Sequence, residues 1–148
     1  MQTLKLTKKY ETYPEYKDSG VEWLGDVPKN WSVSKAKSFI SEIESGVWSD
    51  DKKNDDNDIK CLRVADFNFE KLTFSNVETI RNNPNIKYKK VLRNGDILLE
   101  KSGGGEKTPV GRAIIFNSEE KMVCANFIDI VRVKSDMDSK YFAYQLYA

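Results

Sequence analysis

The sequence predicts an α+β domain: a twisted, mainly antiparallel curved sheet, preceded by an amphipathic helix and followed by the start of another. Three observations predict it. Apolar residues between 32 and 46 recur at three and four residues, and those between 59 and 133 recur at two. The gaps between the period-two runs are short and hold turn residues, which favours antiparallel neighbours over helical crossovers. A chain of 148 residues is long enough for one domain with its own core.

Residues 1–31 are expected to form an arm packed on that domain. Its Trp23, Leu24, Val27, Pro28 and Trp31 are bulky and apolar, so they read as anchors on the domain, with docking on a partner subunit as the alternative. The core of the domain spans 32–137. Val33, Ala36, Ile40 and Ile43 give one helical stripe from residue 32, with Gly46 as its stop. Residues 46–58 are polar, acidic and rich in Asn and Asp, which predicts a mobile loop. Trp48 inside it either anchors the loop to the body or offers a stacking surface. Strands are predicted at 59–65, 72–77, 97–100, 113–116 and 126–133. Between them stand Asn82-Asn83-Pro84-Asn85, Asn94-Gly95-Asp96, Gly103-Gly104-Gly105 and Asn117-Ser118. Residues 138–148 read as the first turns of a longer helix, capped by Asp138 or Ser139. Phe142 and Leu146 lie four apart in it, beside Tyr141 and Tyr144.

Composition removes several chemistries. Histidine is absent, and the two cysteines, Cys61 and Cys124, sit singly in apolar runs, where buried, reduced, inert thiols are expected, with a disulfide in an oxidising compartment as the alternative. Most zinc sites, the Ser-His-Asp and Cys-His arrangements and imidazole acid-base work are excluded, and no cofactor or metal is expected. Apolar runs reach four residues, as at 113–116, so no membrane span is expected. The N-terminus lacks the apolar stretch of a secretory signal, which places the chain in the cytoplasm.

The net charge of +1 hides a polarity along the chain. Residues 42–58 carry seven acids against two lysines, a local charge of −5; residues 81–112 carry eight bases against three acids, a local charge of +5. Each run reads as a solvated loop, or the second as one wall of an anion-binding surface. Within it, NGDILLEKSGGGEKTPVGRAIIF (94–116) is a turn, a buried strand, a glycine-rich loop with Lys101, Lys107 and Arg112, and a second buried strand. It lacks the spaced first glycine and following helix of a Walker A loop, and it has no dinucleotide fingerprint. By spacing alone it is a flexible hairpin or a phosphate-binding loop.

Two stretches carry a resemblance. YKDSGVEWLGDVPKNW (16–31) resembles the opening signature of the specificity subunit of type I restriction-modification enzymes. GDILLEKSGGGEKTPVGRAIIF (95–116) resembles the strand, glycine loop and strand of a target recognition domain in the same subunits. The resemblance covers residues 10–148 and implies a non-catalytic domain reading one half of a split site on double-stranded DNA. Its implied partners are methyltransferase (modification) subunits and, through them, the restriction subunit. Family members usually carry two such domains and long helices, whereas this chain holds one domain and breaks off where the first long helix would begin.

DNA binding needs cations for phosphates and planar donors for base edges. Lys101, Ser102, Lys107, Thr108 and Arg112 are therefore expected to face DNA, with Arg81, Asn82, Asn83 and Lys87 beside them. For Arg112 a salt bridge to Glu100 or Glu106 is the alternative. Two other functions compete. One is a nucleotide or S-adenosylmethionine enzyme, for which no acid, base or nucleophile stands out, since Asp55 and Asp56 lie in too polar a loop. The other is a truncated interaction module that holds the methyltransferase without productive DNA recognition.

Overall fold

The computed structural model describes residues 11–103 and 110–147. Contacts divide the chain into two compact units between Ser38 and Phe39. In the first, β1 (Tyr16–Asp18) and β2 (Asp26–Pro28) form an antiparallel pair. Of the five expected anchors, Val27 and Pro28 are buried. Leu24 and Trp31 are exposed, however, and Trp23, in the turn between the strands, is 85% exposed. These three do not behave as core residues.

The second unit holds β3 (Ile40–Ser45), β4 (Asp50–Asp51), β5 (Asp58–Leu62), β6 (Phe67–Asn68), β7 (Thr73–Phe74) and β8 (Ile80–Asn82). It continues with β9 (Ile97–Glu100), β10 (Ala113–Ile115), β11 (Met122–Cys124), β12 (Ile128–Val133) and helix α1 (Ser139–Tyr147). The α+β class is as expected, but the single curved sheet is replaced by two four-stranded sheets. One has the order β10-β9-β12-β3 and the other β11-β5-β8-β4, with β6-β7 a separate hairpin. Among the described residues, the strand pairings of this unit are antiparallel except β11 with β5.

The amphipathic helix expected from residue 32 is not formed. A short 3₁₀ turn, Ala36–Phe39, leads straight into β3, which pairs antiparallel with β12 across Ile43↔Val131 and Glu42↔Arg132. The cause is visible in β3 itself. Its more buried face carries Ile40, Glu42 and Glu44, while Ile43 points outward, 55% exposed. With acids inside and an isoleucine outside, the apolar spacing mimics a helix. Pairing partners across the strands decide otherwise, as tertiary context does for any weak local preference.

Those inward acids are neutralised by ion pairs. Arg132 is nearly buried and bonds Asp96 through Nε (2.8 Å) and a second nitrogen (2.9 Å), and Glu42 at 2.8 Å. It also donates to the carbonyls of Lys89 and Val91. The Arg132 bond holds the Glu42 carboxyl below its usual range. Burial alone would lower the Arg132 pKa, but the hydrogen bonds to Asp96 and Glu42 outweigh it and raise it. Glu44 pairs with Lys89, whose pKa that bond raises, and lies 4.0 Å from Lys90.

Apolar packing follows the two-residue period of β9. Leu98 joins Leu62, Ile114, Phe116, Met122, Cys124, Ile128 and Ile130 in the core between the two sheets, where Phe74 stacks on Phe116 at 5.3 Å. Ile97, one residue earlier, joins Ala113, Val131, Phe142 and Ala143 on the opposite face, beneath α1. Fully burying a side chain such as Phe142 stabilises by roughly 1.5–3 kcal/mol, which is what holds so short a helix. Asp138 caps α1 as expected, its Oδ1 accepting the Tyr141 N–H at 2.7 Å, while Tyr141 and Tyr144 are exposed. Among the described residues, no helix is long and apolar enough to cross a membrane.

Two backbone features place the functional surface. At Gly46 the chain presses against Cys124 and Ala125, so closely that an added Cβ would lie 2.1 Å from the Ala125 carbonyl oxygen. The Gly46 N–H donates to the Ile128 carbonyl and the Val47 N–H to that of Cys124, both at 2.8 Å, and Val47 bridges Ala125. Beyond it, residues 46–58 are not the mobile loop expected. β4 pairs with β8; the Asp58 carboxylate accepts the N–H groups of Lys53 (3.1 Å) and Asn54 (2.7 Å); and the Asn82 amide donates to Asp55 (2.7 Å) and Asp58 (2.8 Å).

Candidate functional site

Most basic residues of 81–112 that looked available for an anion have acidic partners in the folded chain. Lys101 Nζ donates to Asp129 at 2.6 Å and to Ser45 Oγ at 2.7 Å. Arg112 donates to buried Glu100 through Nε (3.0 Å) and a second nitrogen (2.9 Å), with its guanidinium carbon 4.0 Å above the Phe69 ring. The salt-bridge alternative for Arg112 is therefore the one found. Arg81 pairs with Asp51, so the acidic and basic runs partly neutralise each other through Arg81–Asp51 and Lys89–Glu44.

The other expected residues separate by place. Asn82 is 2% exposed, with its amide donating to Asp55 and Asp58. Asn83 donates to the Trp48 carbonyl and to Ser49 Oγ, each at 3.3 Å, and so positions the Trp48 segment. Lys87 is exposed, just before a 3₁₀ turn. Ser102 is half-buried. Lys107 and Thr108 lie outside the described residues.

Two of these residues, Arg81 and Ser102, line one cleft of about 400 Å³. Its other walls are Val47, Trp48 and Ser49 after β3, Cys61, Arg63, Val64 and Ala65 at the end of β5, and Ala125, Asn126 and Phe127 before β12. The close approach at Gly46 brings the first and last of these segments side by side. Trp48 and Phe127 meet edge to face with ring centroids 6.0 Å apart, yet Trp48 is 79% exposed and Phe127 50%. Trp48 is thus the open surface of the two alternatives for it, not an anchor in the core. Cys61 is buried beneath the cleft; desolvation pushes its thiol pKa up against the opposing pull of Arg81 and Arg63. A protonated thiol is no nucleophile.

A larger cleft, about 520 Å³, is lined by Lys52, Asp56, Asp58, Lys60, Glu120 and Lys121 among others. Its charges cancel, Lys60 and Glu120 pairing at 2.7 Å, and it has no aromatic wall. The smaller cleft has the more distinctive chemistry, with aromatic faces beside two planar guanidiniums, an amide and two hydroxyls.

Sequence reasoning missed Arg63, Asn126 and Phe127. Phe127 was within reach, because the period that sends Ile128 and Ile130 into the core sends Phe127 and Asp129 to the other side. Arg63, a single charge after an apolar strand, carries no such signal.

The architecture is of the class found in specificity subunits. The crystal structure of the HsdS subunit from Thermoanaerobacter tengcongensis matches 89% of this chain and 30% of that one, with a TM-score of 0.55 and 17% identity. In sequence, the chain is similar to the type I restriction enzyme MjaVIII specificity subunit of Methanocaldococcus jannaschii, 27% identical over 135 residues. That match covers 89% of this chain and 31% of the subunit, so the chain spans about a third of the length of these relatives. No family model matches the chain. The resemblance to type I specificity subunits read from residues 16–31 and 95–116 is met in sequence and in fold.

Proposed function

We propose that the chain is a target recognition domain of a type I restriction-modification specificity subunit. It reads one half of a bipartite site on double-stranded DNA for methyltransferase and restriction subunits, and makes or breaks no bonds itself. The observation that carries the reading is that one part of a specificity subunit accounts for 89% of the chain twice over, by sequence and by fold. The geometry supports it: Arg81 and Ser102, two of the residues expected from the sequence, share a cleft with donors suited to base edges. Lys87, Lys107 and Thr108 supply phosphate contacts from the same half of the chain.

A second reading has an observation of its own. Lys89, Lys101 and Arg112 are already paired with acids, which leaves fewer cations for phosphate and weakens binding by the isolated chain. In that reading the chain holds the methyltransferase without delivering it to DNA. Selection from a random duplex pool, with and without the methyltransferase subunit, separates the two. DNA reading yields an enriched half-site motif, at least when the partner is present. Capture of the methyltransferase with no enrichment in either arm would favour the interaction module.

A further inference from the structure

We propose that the Trp48–Phe127 cleft receives a single nucleobase turned out of the DNA stack, and that Trp48 is a specificity-determining contact. The inference rests on the DNA-reading proposal and names the part of the target that this cleft takes.

The shape of the site argues for it. In an intact duplex the groove displays base edges, while ring faces are covered by their neighbours in the stack. Base edges are read by side chains that project into a groove, and a recess reads them poorly. Here the largely exposed rings of Trp48 and Phe127 line a cleft together with Val47, Ala125, Val64 and Ala65. An exposed ring face at the mouth of a cleft is complementary to another ring face, and a base presents one only when it leaves the stack.

The chemistry around the rings agrees. An extruded base needs a stacking partner and hydrogen bonds to its exposed edge. Trp48 supplies an indole with Phe127 set edge-on against it. Arg63 and Arg81 each place one nitrogen on an aspartate, at Asp66 and Asp51, and a guanidinium has five N–H donors in all. Ser102 and Asn126 add a hydroxyl and an amide, each both donor and acceptor. Donors alone would suit phosphate; a mixed set beside an aromatic face suits a heterocycle. The support is rigid, since Trp48 is flanked by the backbone lock at Gly46–Val47 and by the Asn83 bond to its own carbonyl.

The test uses the chain with Trp23→Phe and Trp31→Phe, which leaves Trp48 as its one tryptophan, with the methyltransferase present if binding requires it. The probes are the duplex enriched by selection and the same duplex with single mismatches walked through the enriched motif. Trp48 emission is expected to be quenched on binding. One mismatch position, where extrusion costs least, is expected to tighten binding about tenfold. Trp48→Ala should weaken binding to the matched duplex about tenfold and abolish the mismatch gain, with Trp48→Phe between. If wild type binds the enriched duplex while Trp48 emission is unchanged and Trp48→Ala binds as tightly, the base site is wrong and DNA reading stands. If no duplex binds with or without the methyltransferase, the DNA reading fails and this inference with it.

Discussion

The packed charges around β3 and the open cleft around Trp48 lie at opposite ends of one short segment and have opposite characters. Glu42 and Glu44 are ionic groups turned inward and matched by Arg132, Lys89 and Lys90; Trp48, four residues past Glu44, is a large apolar ring turned outward and left uncovered. Charge here holds the fold together, and the aromatic surface is left exposed. A local charge summed along the sequence therefore overstates the field that a partner meets, because the opposite run can fold onto it.

The largest effect should come from breaking the charged side of that contrast. Arg132→Leu removes the guanidinium that serves Asp96 and Glu42 and leaves the buried Asp96 carboxylate without it. A loss of roughly 3–5 kcal/mol in urea unfolding is expected. Trp48→Ala, at an exposed position, should change the same unfolding free energy by less than ~0.5 kcal/mol. Equal costs for the two would erase the distinction between a structural and a ligand-facing region.

An intermediate effect should follow from disturbing the joint between the regions. Gly46→Ala places a methyl group 2.1 Å from a backbone oxygen, where the chain cannot yield as a flexible side chain could. We expect a loss of roughly 1–3 kcal/mol. Trp48 emission should shift as well, since its contact with Phe127 depends on that approach. Unchanged emission in a folded variant would show that the aromatic pair is placed by something else.

Five of the ten strands described in the second unit, β5, β7, β9, β10 and β12, were legible in the sequence because their apolar residues alternate cleanly. β9 was read to the residue at 97–100, and β10 and β12 lie inside their expected runs. β3 was not, because Glu42 and Glu44 occupy its inner positions and their partners come from Lys89, Lys90 and Arg132, more than forty residues away. β8 was hidden for a similar reason: it is three residues long and contains Arg81 and Asn82, whose partners lie in the acidic segment. Of the candidate site, Trp48, Arg81 and Ser102 could be singled out from composition and context. Their convergence could not, since it depends on a backbone contact between Gly46 and Ala125 that no local pattern encodes.

The smallest effect concerns the acidic segment. The Asn82 amide, outweighing the opposing desolvation and aided by the Lys53 and Asn54 N–H groups, holds the Asp58 carboxyl below its ordinary value. A depressed folded pKa contributes stability that is complete above the ordinary carboxylate range and is lost as pH falls through the lowered value. Comparing unfolding of wild type and Asp58→Asn from pH 6 to pH 2 should give a constant gap above about pH 5 that narrows below about pH 4. A gap that does not narrow in acid would remove Asp58 from the segment's supports.

The joint at Gly46 also bears on how this unit opens. Gly46 and Val47 follow β3 of one sheet, and Cys124 and Ala125 end or follow β11 of the other, so the Val47–Cys124 hydrogen bond and the Val47–Ala125 bridge tie the two sheets at this point. Neither sheet can peel away without releasing the bonds that secure its neighbour, which makes them a single cooperative unit in local unfolding. The Trp48 segment is tethered to that joint at its root, so its slow fluctuations follow those of the whole unit more than those of a free surface loop.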